Sequence, residues 1–222
     1  MEVDLKVSFY DYLLSIIVIS SLLFLSGFTA FYLLSEFSFQ LFHNYSYLIN
    51  ALLFFLCYGL LSGAFLHLIL KIRPLKTGEF TMNHTEFTYW KLLTMIHYFG
   101  EKSLFLLNHA PFMPLLAKIF GAKVGKNIAI GGKIDSPFLV TLADNVVLGH
   151  GSLVSANYIQ NGNLFLGPVI INKNATVGVY SLILPNTTLE ENSSVHAGAV
   201  VNPGTIIPSG ESWKGNPARK WQ

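Results

Sequence analysis

Charge is scarce in this 222-residue chain, and cysteine is almost absent. Only 12% of the residues are Asp, Glu, Lys or Arg, whereas 52% are hydrophobic; ordinary soluble domains carry about 25% charged residues, so the chain is not wholly soluble. The one cysteine, Cys57, excludes a disulfide scaffold and a cysteine-cluster metal site, and its place in an apolar run reads as a small buried hydrophobe. A net charge of +2, from 14 Lys and Arg against 12 Asp and Glu, makes no field able to hold a polyanion, so nucleic acid is not an expected partner.

The scarcity is uneven. Residues 1–70 carry only Glu2, Asp4, Lys6, Asp11 and Glu36. Between Asp11 and Glu36 lie 24 uncharged residues, and Tyr47 to Leu70 is as long; at about 1.5 Å per residue, each exceeds a hydrocarbon core of about 30 Å. A transmembrane helical hairpin is therefore expected over residues 1–73. A cleaved leader fits poorly, since two acids flank Lys6 and the apolar run is too long. No Lys or Arg occurs between Lys6 and Lys71, so the loop around Gln40, His43 and Asn44 should face away from the cytoplasm, with both chain ends inside. Residues 71–126 hold Lys71, Arg73, Lys76, Lys91, Lys102, Lys118, Lys123 and Lys126 against three glutamates, suiting an anionic leaflet and making membrane lipids expected partners. The apolar patches Lys91–Phe99 and Ser103–Ile119, the second broken by Pro111 and Pro114, predict interfacial or linker helices over 74–120, lying on the membrane or roofing the next domain. The Asn-x-Ser/Thr sequons at Asn44, Asn83, Asn174, Asn186 and Asn192 read as turn asparagines.

From Val124 a six-residue period begins. One series runs Val124, Ile130, Ser136, Leu142, Leu148, Val154, and a second runs Ile171, Val177, Ile183, Leu189, Val195, Val201, Ile207. In the second, the fifth position of each hexad is small: Ala175, Ser181, Thr187, Ser193, Ala199, Thr205. One large and one small inward residue per hexad describes a short strand and a tight corner, three to a coil, in an all-β parallel β-helix over 121–222. Asn127, Asn145, Asn174, Asn186, Asn192 and Asn202 fit the corners. The 17-residue step from Val154 to Ile171 marks an excursion, Gln160 to Pro168.

The hexads, the interrupting loop and the ending Trp213-Lys-Gly-Asn-Pro-Ala-Arg-Lys220 resemble the left-handed β-helix, or hexapeptide-repeat, acyltransferases over residues 117–222. Pro111 to Gly125 and Gly162 to Val169 further resemble a membrane-linked branch related to terminal domains of non-ribosomal peptide synthetases. The resemblance implies acyl transfer from acyl-CoA, most simply acetyl-CoA, without a metal, in a homotrimer whose slots lie between prisms. It assigns Gly215, Asn216, Pro217, Ala218, Arg219 and Lys220, with Ala197 and Gly198, to the coenzyme A site, where the two cations could meet phosphates.

Acyl transfer to a hydroxyl or amine needs a base and an oxyanion donor. Many relatives have the catalytic histidine just before the loop; this chain has Asn157 there, a candidate hydrogen-bond donor, and the nearest histidine is His150. His150 holds the third, outward position of its hexad and is the first candidate for the base, with the alternative of a solvated corner residue. His196, at a second position, is the other candidate, or a turn residue. Histidines 43, 67, 84, 97 and 109 show no metal-ligand spacing. Two other functions compete. A γ-carbonic-anhydrase-type zinc site shares the step Gly149-His150-Gly151, but needs a second histidine where Ser155 stands. A non-catalytic scaffold that lost its base is the other. A membrane anchor points to a membrane-associated or saccharide acceptor for the enzyme reading.

Overall fold

The computed structural model describes residues 9–221, which divide into two compact units. The helical unit comprises the described residues up to Pro74 together with Thr88–Leu106. Helix α1 (Phe9–Phe28) runs into a π-helical turn, Thr29–Leu33; α2 (Ser35–Phe42) and the 3-10 turn His43–Tyr45 then lead to the 27-residue α3 (Ser46–Ile72). The spans Asp11–Leu33 and Ser35–Ile72 are long and apolar enough to cross a membrane, and only 17% and 28% of their most apolar windows are buried. Some of their polar side chains are satisfied internally: Ser26 Oγ donates to the Leu22 carbonyl at 2.6 Å, and Ser38 Oγ to Asn50 Oδ1 at 2.5 Å. Most of α4 (Thr85–Ser103) also belongs to this unit. There the buried Asp11 carboxylate accepts from Thr88 Oγ1 at 2.6 Å and pairs with Lys91. An uncompensated carboxylate would be costly at that depth.

The second unit contains Leu75–Phe87 and the chain from Leu107 onward. Its centre is a left-handed parallel β-solenoid of about five turns. Strands Lys123–Val124, Val140–Leu142, Val169–Ile171, Thr187–Leu189 and Ile206–Ile207 stack into one face. A second face begins at Ala129–Ile130 and Val147–Leu148 and ends at Ser212–Lys214; the third carries Lys133–Asp135, Leu153–Ser155, Leu182–Ile183 and Val200–Val201. Inward aliphatics stack in register, Leu142 on Ile171 on Leu189 and Leu148 on Val177 on Val195, all essentially buried. Their burial drives the fold, because two- and three-residue strands have little stability of their own. α5 (Met113–Ile119) roofs the first coil, adding Ala117 to the core.

The corners follow the sequence expectation closely. Asn127, Asn145, Asn174, Asn186 and Asn192 have φ between 55° and 61°, the left-handed region that asparagine tolerates. Four of them form a ladder: Asn127 donates to Asn145 at 3.3 Å, Asn145 to Asn174 at 2.9 Å and Asn174 to Asn192 at 3.0 Å. At Asn202-Pro-Gly204, however, Gly204 takes the positive φ.

Three further features differ from the sequence reading. Ile134, not Ser136, occupies the inward place opposite Val154, because the Gly131-Gly132 corner is two residues short; the surplus forms the turn Ser136–Leu139. The excursion is a β-hairpin, Asn157–Gln160 with Asn163–Leu166, turned by Asn161 and Gly162 at φ 50° and 80°, a two-residue turn favoured by the twist of the strands. The segment 74–120 is not helical throughout: Gly78–Thr81 is a strand that pairs antiparallel with Asn163–Leu166, where Asn163 Nδ2 donates to Glu79 Oε1 at 2.6 Å.

Candidate active site

His150 sits on the corner between the second and third faces, its side chain exposed. The strand pairing stacks that corner coil upon coil, so that His150, Val179, Ala197 and Gly215 form one column, and Gly151, Tyr180, Gly198 and Asn216 the next. Backbone bonds tie neighbouring steps: Tyr180 N–H donates to the His150 carbonyl at 3.0 Å, and Gly198 N–H to Val179 at 2.9 Å. At about 4.8 Å per coil, His150 stands roughly 14 Å from Gly215. The residues singled out from sequence around His150, Ala197, Gly198 and Gly215 thus share one edge of one prism. The His150 and Tyr180 rings are perpendicular, with centroids 5.7 Å apart.

The carboxy-terminal segment closes this edge as a tight hairpin. Trp213 and Lys214 pair antiparallel with Lys220 and Arg219, through a turn containing Gly215, Asn216, Pro217 and the buried Ala218. Ala218 N–H donates to Val200 and Val200 N–H to Gly215. The cations differ in availability. Lys220 Nζ donates to Glu211 Oε1 at 2.6 Å, while Trp213 Nε1 donates to Oε2 at 2.9 Å; the Lys220 bond, then the indole, hold the Glu211 carboxyl below the usual carboxylate range. Arg219 is exposed and donates from Nη1 to the Ala218 carbonyl. Lys214 lies over the Trp221 ring at 4.9 Å. Lys214, Arg219 and Lys220 are thus all exposed at this end, with Lys220 paired to Glu211 and Lys214 resting on the Trp221 ring. His196 is half-buried, its ring perpendicular to Trp221 at 4.4 Å between centroids.

Asn157 lies elsewhere. It begins the excursion hairpin at the corner between the third and first faces and is 8% exposed. Its amide nitrogen donates to Asp135 Oδ2 at 3.1 Å and to Ser136 Oγ at 2.8 Å, while Ser155 Oγ donates to the Asn157 carbonyl at 2.7 Å. Both amide hydrogens are engaged in this geometry, which ties the hairpin to the turn at Asp135 and Ser136. The partners Asp135 and Ser136 lie 21 or more residues away and escaped sequence reasoning. Ser155 carries a hydroxyl where a second zinc-binding imidazole would stand, and among the described residues no group of three or more His, Cys, Asp or Glu could hold a metal ion.

No family model matches the chain. It is 32% identical over 118 residues to a δ-poly-L-ornithine synthetase of Acinetobacter baumannii, over 53% of this chain and 9% of that enzyme. It is 33% identical over 90 residues to the mitochondrial γ-carbonic anhydrase 2 of Arabidopsis thaliana, 40% of this chain and 27% of that protein. To the galactoside O-acetyltransferase of Escherichia coli it is 27% identical over 104 residues, 39% of this chain and 51% of that enzyme. The chain thus spans about half or less of these relatives. Among solved structures, a hexapeptide-repeat acetyltransferase of Vibrio cholerae complexed with acetyl-coenzyme A superposes with a TM-score of 0.51 at 16% identity, over 68% of this chain and 96% of that one. The fold is that of the hexapeptide-repeat acetyltransferases.

Proposed function

We propose that the chain is an acyl-CoA-dependent acyltransferase, anchored in a membrane by residues 1–73, linked through 74–120 and catalytic in 121–222. The observation that carries this reading is the shared prism edge. It puts an exposed imidazole at one end, beside the exposed Val179 and Tyr180, then the small corner residues Ala197 and Gly198, and the turn with Arg219 at the other. An extended thioester arm on this edge would lie over Ala197 and Gly198 and pass Tyr180, with its phosphates toward Arg219 and Lys214 and its carbonyl toward His150. His150 takes the proton from the acceptor hydroxyl or amine as that atom attacks the thioester carbon; the tetrahedral oxyanion then collapses, expelling the coenzyme A thiolate. The identity with a galactoside O-acetyltransferase supports the same chemistry. Asn157 anchors the hairpin in this scheme, and donating to the oxyanion would require it to give up its bond to Asp135 or Ser136.

The hairpin and His150 leave the prism at different corners, so a slot holding both is completed by a neighbouring copy, as in a homotrimer. The acceptor is membrane-associated, a lipid-linked saccharide being the simplest, because the apolar spans leave most of their surface outward as lipid-facing helices do. With no Lys or Arg between Lys6 and Lys71, the prism faces the cytoplasm and its acyl-CoA.

Purified full-length protein in detergent, given acetyl-CoA and a panel of free and lipid-linked saccharides, is expected to release coenzyme A thiol only with an acceptor present. Absence of release with every acceptor would favour the scaffold reading. Native mass measurement in the same detergent is expected to give a trimer, and a monomer would remove the shared slot.

A further inference from the structure

One corner residue breaks the rule of its column. Gly151 and Gly198 hold their places at φ 65° and 67°, but between them, in the same register, stands Tyr180 at φ 53°. A bulky side chain resists the left-handed region, which glycine enters freely. Burial does not compensate for the strain, since Tyr180 is 69% exposed. Its ring instead lies across the preceding coil. A Cβ placed on Gly151 would fall 2.4 Å from Tyr180 Cε1 and 2.5 Å from Cδ1, so a side chain there would displace the ring, and the same ring stands perpendicular to His150. Backbone strain held at an exposed aromatic, with a glycine vacating the space beneath it, is what a functional constraint leaves.

We propose that Tyr180 is the positioning residue for His150. Its ring walls one side of the imidazole and, through the perpendicular contact, limits rotation of a side chain that the exposed corner would otherwise leave free. The assignment rests on His150 as the base and adds the residue that orients it. The side chain acts as a ring, not through its hydroxyl.

The test compares Tyr180→Gly and Tyr180→Phe with the parent full-length protein in detergent. The readouts are thermal unfolding, coenzyme A release from acetyl-CoA with a productive acceptor, and the rate at which diethyl pyrocarbonate modifies the His150 peptide, followed by mass spectrometry. Tyr180→Gly relieves the strained φ, so its melting temperature is expected at or above that of the parent, while His150 is modified several-fold faster. Its kcat should fall about tenfold with little change in KM for acetyl-CoA, as misplacement of a catalytic group requires. Tyr180→Phe should restore all three values. Unchanged His150 modification in Tyr180→Gly would overturn the proposal, as would joint loss of melting temperature and activity, or a Phe variant as damaged as the Gly variant. If the parent releases no coenzyme A, the acyltransferase reading fails, while the modification rates still decide whether Tyr180 restrains His150.

Discussion

In the His150→Ala protein, stability and catalysis are expected to part. The imidazole is exposed, and the ring contact recorded for it is the perpendicular one with Tyr180. Losing such a contact costs about 0.5–1.5 kcal/mol when well formed, and an exposed site falls toward the lower end. Losing a general base costs roughly 10²- to 10⁴-fold in rate, or about 3–5 kcal/mol of transition-state stabilisation. Leu189→Ala supplies the opposite case. Leu189 is fully buried in the prism core, so its truncation should cost about 2–5 kcal/mol of stability and leave the folded fraction active. Thermal unfolding and coenzyme A release on the same preparations separate the two. If His150→Ala keeps full activity while His196→Ala is inactive, the base assignment is wrong and the fold assignment stands; if loss of rate follows loss of stability in both variants, His150 is structural.

Further outcomes follow from individual contacts. A Cβ on Gly178 would sit 2.5 Å from the backbone of His196 and Ala197, whereas Gly198 faces open space and is constrained only by φ 67°; Gly198→Ala should cost about 1 kcal/mol, and Gly178→Ala should lower the melting temperature of the prism considerably further in thermal unfolding. The Glu211 carboxyl is depressed below its ordinary value of 4.5, chiefly by Lys220. Its contribution is therefore complete above pH 4.5 and lost as pH falls through the lower folded value, so an indole fluorescence change in that acid window should appear in the parent and vanish in Glu211→Gln. In a Cys57→Ala background, cysteine at Asn44 should react with an impermeant reagent from the non-cytoplasmic side, and cysteine at Lys126 only after the membrane is opened; the reverse pattern would put the prism outside.

The hexad period was legible because each step obeys a local rule: an aliphatic points inward, and an asparagine or glycine relieves the next corner. That rule marked Leu142 through Ile207 as core, the asparagines at 127, 145, 174, 186 and 192 as corners, and the gap from Val154 to Ile171 as an excursion. It failed where spacing and stacking disagree. Ile134 displaced Ser136 from the inward place because a short glycine corner shifted two residues around the coil, which no count of six reveals. The partners of Asn157, the strand Gly78–Thr81 beside the hairpin, the pairing of Lys220 with Glu211, and the ring of Tyr180 over Gly151 were likewise decided by tertiary structure. Each joins groups that the sequence holds apart or orients a side chain relative to another coil. A periodic sequence specifies which residues face inward, whereas contacts among outward residues depend on how the coils and their insertions stack in space.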